Sequence, residues 1–167
     1  MISLGSSCKK NIIGDDDKLS VSRTPYASNE LRTDGYYYLN INSSYSSILF
    51  FYKNGIVLSA GGIFSKETEM DSYINKEFLQ TQSYKNSKIS WGVFKISSNN
   101  NIVFERWYPS SGGPLKSYIR SGVIIDNTTF TITKSIRSNG EEGRDINETY
   151  HFKQFSPKPD STNTFVP

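Results

Sequence analysis

The chain has 167 residues, of which 35% are hydrophobic, 14% aromatic and 21% charged, with a formal net charge of +3. A single Cys excludes an intramolecular disulfide framework and a single His excludes a multi-histidine metal centre. No run approaches the roughly 18 apolar residues that a membrane-spanning helix needs. Ten Phe and eleven Tyr are too many for a disordered chain, so the composition points to one aromatic-rich globular domain.

Residues 1 to 30 are small and polar, with little periodicity. Within them, Leu4-Gly5-Ser6-Ser7-Cys8 places small residues directly before a Cys and an apolar residue upstream. This run resembles the lipobox of bacterial lipoproteins. The resemblance implies cleavage before Cys8, a lipid on Cys8 and a membrane-anchored protein of the cell envelope. Residues 1 to 30 are then the end of a signal segment, the lipobox and a flexible tether. Asp15-Asp16-Asp17 lacks the spaced, glycine-punctuated ligands of a calcium loop and reads as a solvated acidic run. Its position shortly after Cys8 also resembles the surface-export tags of some bacterial lipoproteins.

From Leu31 onward the pattern is one of antiparallel strands and tight turns. Asp34-Gly35 precedes a first strand at Tyr36 to Ile41. Strands at Ile48 to Lys53 and Ile56 to Ala60 flank Asn54-Gly55, a strong hairpin signal. A helix follows: Ser65 is placed to cap it, Glu67 and Glu69 suit its first turn, and Met70, Tyr73, Ile74 and Phe78 form one apolar stripe. Such a helix is expected over the open end or the side of a sheet. Further strands are expected at Ile89 to Ile96, Ile102 to Tyr108, Leu115 to Ile125, Thr128 to Ile136 and Thr149 to Phe155. About eight sequential strands can close into an up-and-down β-barrel without sheet edges. Barrels of that size are filled by side chains or hold one small ligand. The domain is expected over 31 to 156, with 157 to 167 as a tail.

The entry Leu31-Arg32-Thr33-Asp34-Gly35-Tyr36-Tyr37, the Trp91-Gly92 pair and the meander after it carry a resemblance to the lipocalin and fatty-acid-binding-protein superfamily. The chain is most similar there to small lipocalin-like (calycin-type) lipoproteins of the Bacteroidetes type. That resemblance implies a monomeric barrel for a small hydrophobic or amphipathic ligand, without a cofactor. Fatty-acid-binding proteins hold a ligand carboxylate with an Arg-x-Tyr pair, and Arg106-Trp107-Tyr108 has that spacing.

Turn lengths fix strand register, and register fixes which side chains face inward. A two-residue turn at Asp126-Asn127 sets Val123 opposite Phe130, and the loop from Pro109 to Pro114 sets Phe104 opposite Ile119. The expected interior then holds Ile102, Phe104, Arg106, Tyr108, Ile119, Val123, Ile125, Phe130 and Ile132. Of these, Arg106, Tyr108, Phe104, Ile119 and Phe130 are the expected ligand-binding set. The expected outer face holds Val103, Glu105, Trp107, Lys116, Tyr118 and Arg120, with charges paired in water. Lys116, Tyr118 and Arg120 make a basic-aromatic strip too small for nucleic acid and read as a solvated strand face.

Enzyme chemistry has little support. His151 alternates with Tyr150 and Phe152 and reads as a solvated strand residue. No Gly-x-Ser-x-Gly elbow is present, and Ser110-Ser111-Gly112-Gly113 lacks the Lys of a phosphate loop. Neither catalytic nor metal-ligating residues are assigned. The expected function is a lipid-anchored envelope barrel that binds a small ligand. Its alternative is a filled barrel that serves as a non-enzymatic subunit of an envelope complex.

Overall fold

A computed structural model describes residues 16–42, 45–64, 66–97 and 99–167. Cys8 and its lipobox, Asp15 and the expected cap Ser65 lie outside the described residues. Eight strands are present among those described: β1 (Gly35–Asn42), β2 (Tyr45–Phe51), β3 (Ile56–Gly62), β4 (Trp91–Ile96), β5 (Asn101–Ser110), β6 (Gly113–Asp126), β7 (Thr129–Arg137) and β8 (Arg144–Gln154). Each pairs antiparallel with its sequence neighbour, and β1 pairs with β8. The result is the closed up-and-down barrel expected from the strand pattern, consistent with a lipocalin-like fold.

Short loops fit this order, because antiparallel neighbours need only a tight connection. Between β2 and β3, the Tyr52 N–H donates to the Ile56 carbonyl and the Gly55 N–H to the Tyr52 carbonyl, both at 2.9 Å. Lys53-Asn54-Gly55 is therefore a three-residue hairpin loop, with Gly55 at φ +84° supplying the left-handed position that loop requires.

Two irregularities on β6 overturn the expected register. Ser110 opposes Gly113 but Tyr108 opposes Lys116, so one residue on β5 faces two on β6. Phe104 consequently opposes Arg120, not Ile119. At the other end of β6, Asp126 opposes Thr129, so Asn127-Thr128 forms the turn. Asp126 Oδ1 holds it there by accepting from the Thr128 N–H and hydroxyl, each at 2.7 Å. Ile125 bulges, and Ile124 rather than Val123 opposes Phe130. A one-residue slip exchanges faces. Ile119, Val123 and Ile125 therefore leave the interior, the last two lying 45% and 61% exposed. Lys116, Tyr118 and Arg120 turn inward instead, opposite Tyr108, Arg106 and Phe104.

The outer face is not uniformly wet. Tyr36, Ile48, Phe50, Leu58 and Trp91 point outward from β1 to β4 and are buried in a second core. The helix α1 (Glu67–Ile74) and its π-helical continuation (Asn75–Gln80) cover them with Met70, Ile74 and Phe78. Phe50 and Phe78 lie 5.4 Å apart, and the Tyr36 hydroxyl donates to Asp71 at 2.9 Å. The helix thus lies against the side of the barrel.

Residues 16–31 and the C-terminal tail add to this layer, so packing among the described residues extends beyond 31 to 156. Asp16 pairs with Arg137 at 3.0 and 3.2 Å, and its carbonyl accepts from the Trp107 indole at 2.6 Å. Glu105 is fully buried, where solvent pairing was expected; its Oε2 accepts from the Ser20 and Val21 amides at 2.7 and 2.6 Å. Tyr26 and Leu31 then close one end of the inner core. In the tail, the Tyr52 hydroxyl donates to the Pro159 carbonyl at 2.8 Å, and Val166 is buried. The last strand was expected from Thr149, but β8 already begins at Arg144.

Candidate functional site at the barrel mouth

Alternation on the strands divides the barrel interior into two zones. At the end closed by Tyr26 and Leu31, Phe51, Phe94, Phe104 and Phe130 are at most 1% exposed. Their rings meet at centroid separations of 4.8 Å (Phe51–Phe94), 5.7 Å (Phe51–Phe130) and 6.3 Å (Phe51–Phe104). These are contact distances for edge-on aromatic packing, so this half of the barrel is solid. Phe130 also stacks on Tyr150 at 4.8 Å.

Toward the opposite end the same inward rows become polar. On β2, Ser47 precedes Leu49 and Phe51 on one face; on β3, Ser59 follows Val57. Ser47, Ser59 and Ser90 are buried there, beside Arg106 and Tyr108. Together with Tyr84 they line a cleft of about 390 Å³. The Arg106 guanidinium lies 3.9 Å from the Tyr108 ring centre and donates to the Ile89 carbonyl at 3.3 Å. Arg106 Nε, the Tyr108 hydroxyl and Arg120 Nε are buried without a hydrogen-bond partner among the described residues. Buried donors of this kind are costly unless something occupies them.

Arg120 lies deeper and forms an ion pair with Glu148. Burial disfavours its charged form, but Tyr108, Tyr150 and the Glu148 carboxylate outweigh that, and its pKa is raised. Tyr150 is pushed well above the ordinary phenol range by burial, although Arg120 and Arg106 both pull it down. Tyr150 thus lies within electrostatic reach of both guanidiniums. At the rim, Glu142 pairs with Lys116 at 2.5 Å and with the Tyr118 hydroxyl. Of the strip, Arg120 is buried inside the barrel against Glu148, whereas Lys116 and Tyr118 reach the exposed rim and meet Glu142 there.

Comparison with protein families, with curated proteins and with solved structures finds no match. The site must be read from its own chemistry. Of the expected binding set, Arg106 and Tyr108 line the mouth, Phe104 and Phe130 belong to the solid floor, and Ile119 is outside the barrel. Ser47 and Ser59 share the inward face with Leu49 and Val57 because the loop Lys53-Asn54-Gly55 has three residues; a two-residue Asn54-Gly55 turn would set them on opposite faces. Arg120 was hidden by the register slip, and Tyr84 comes from a loop without periodic signal.

A second cleft of about 450 Å³, mainly apolar, lies outside the barrel between residues 17–23, Trp107 and residues 165–167. Among the described residues no group of three His, Cys, Asp or Glu is placed to hold a metal ion. Among them, no helix is long and apolar enough to cross a membrane. His151 is exposed on β8, its ring 6.2 Å from that of Tyr38.

Proposed function

We propose that this protein is a β-barrel of the cell envelope, lipid-anchored through Cys8, that binds a small amphipathic ligand at its mouth. The supporting observation is the mouth cleft itself, where Arg106 Nε and the Tyr108 hydroxyl are buried and unpaired beside about 390 Å³ of open volume. A cleft with a few convergent polar groups is the usual form of a small-molecule site. An acid group on the ligand would meet Arg106, the cation of the cleft lining. Native mass spectrometry of protein purified from its own cells tests this: a co-purifying small molecule is expected, lost when Arg106 is replaced by Gln. The anchor has its own measurement. The mature chain should begin at Cys8 and carry the mass of a lipid, and a chain with Met1 and an unmodified thiol would rule the anchor out.

The filled aromatic floor favours one other reading, a non-enzymatic subunit of an envelope complex. The same spectra separate the two: bare barrel with a stoichiometric protein partner supports the subunit, and barrel with a small molecule supports the binder.

A further inference from the structure

A ligand held inside a closed barrel would enter along the barrel axis. Here that axis is blocked. Phe51, Phe94, Phe104 and Phe130 fill it with rings in contact, each at most 1% exposed. An alkyl chain would have to displace a close-packed aromatic core. What remains is a shallow cup whose lining sets Ser47, Ser59, Ser90, Tyr108 and Arg106 beside the apolar surfaces of Ala60, Ile89 and Pro109. Arg106 has no carboxylate partner among the described residues; it meets only the Ile89 carbonyl and the Tyr108 ring. Arg120, below it, is already matched by Glu148. The cup therefore offers an unmatched cation and several hydroxyls, with apolar contact limited to Ala60, Ile89 and Pro109 and the axis below closed by the aromatic floor.

Resting on the reading that this mouth is a ligand site, we infer that its ligand is a compact, hydroxyl-bearing organic monoacid, of the sugar-acid or hydroxycarboxylate class, and not a fatty acid. The carboxylate pairs with Arg106, and the ligand hydroxyls exchange hydrogen bonds with the serine and tyrosine hydroxyls. Each contact reaches the mouth only, so the ligand leaves the aromatic floor undisturbed.

Isothermal titration of the full chain with sodium glucuronate and with sodium decanoate tests this. Saturable glucuronate binding is expected, weakened about tenfold or more by R106Q, as for loss of a charge-assisted pair, and also weakened by S59V, which exchanges a cup hydroxyl for methyl groups. Decanoate is expected not to bind. Circular dichroism checks that both variants fold, and S59V carries the test if R106Q does not. Saturable decanoate binding that depends on Arg106 overturns the inference and leaves the mouth as an anion site. Glucuronate binding unaffected by either substitution, or no binding of either acid, overturns both the inference and the reading beneath it.

Discussion

Arg120 and Glu148 meet inside the barrel, with the Arg120 side chain 9% exposed and the Glu148 side chain 24% exposed. Removing one partner of such a pair strands a desolvated charge, whereas replacing both with apolar residues does not. Glu148→Gln should therefore lower unfolding free energy by about 3 kcal/mol in urea titrations, and Arg120→Met with Glu148→Leu should recover most of that loss. An equal loss in the double variant would show that the pair contributes through attraction rather than through mutual neutralisation. At this scale the sequence was legible only in part. Arg106 and Tyr108 share an inward face in any register that keeps Phe104 inside, because residues i and i+2 on a strand point the same way. Arg120 could not be placed, since its face depends on two loops rather than on its own strand.

Among the elements, the segment from Asp16 to Glu30 departs furthest from its sequence. Polar and without periodicity, it reads as a tether; in the fold it lies on the barrel because side chains from β5 to β7 supply partners its own pattern does not announce. Glu105 accepts two of its backbone amides, and Arg137 grips Asp16. Glu105→Ala should lower stability by roughly 2 kcal/mol, the cost of leaving buried donors unpaired. It should also speed hydrogen exchange at the Ser20 and Val21 amides while the β5 amides keep their protection. Uniform acceleration through the barrel would mean that the segment is not a separable unit. The close approach of β6 and β7 is a second case. Gly122 sits where an added Cβ would collide with the Thr131 carbonyl, so the β6–β7 contact is closer than a side chain allows. Gly122→Ala should cost about 1–3 kcal/mol by forcing those strands apart, read as a lower urea midpoint. Alternation locates such strands well, but bulges add residues without changing composition, and that is where the expected faces failed.

The molecule as a whole carries a pH signature in its tail. Burial pushes the Lys158 ammonium down to about 7 against the pull of Asp34, while its Nζ donates to the Thr33 and Phe51 carbonyls at 2.7 and 2.5 Å. Between that value and the ordinary 10.5, the unfolded chain binds the proton and the folded chain does not, so stability rises with pH across this window. The slope approaches at most about 1.4 kcal/mol per pH unit. Above the ordinary tyrosine value of 10 the sign reverses. Burial raises Tyr36 and Tyr37, and holds Tyr38 up to about 12, so the unfolded chain loses protons first and stability falls. Urea midpoints measured from pH 6 to 11 should pass through an alkaline maximum, and Lys158→Met should flatten the rising limb. An unchanged limb in that variant would assign the pH dependence to other groups.

The strand count, the order of strands and the closed antiparallel barrel were determined by sequence, because local alternation and tight turns act over a few residues and leave little choice of neighbour. The inward Arg106 and Tyr108 and the apolar helix stripe come from the same short-range periodicity. The tertiary structure decided the rest. Whether Ile119 or Arg120 enters the barrel, whether the interior is hollow or filled, and whether the chain ends dock all depend on contacts between distant segments. A bulge of one residue, set by the β5–β6 loop and by Asp126, exchanges an apolar row for a charged one. That exchange brings Arg120 in beside the aromatic floor, below the mouth that Arg106 and Tyr108 line.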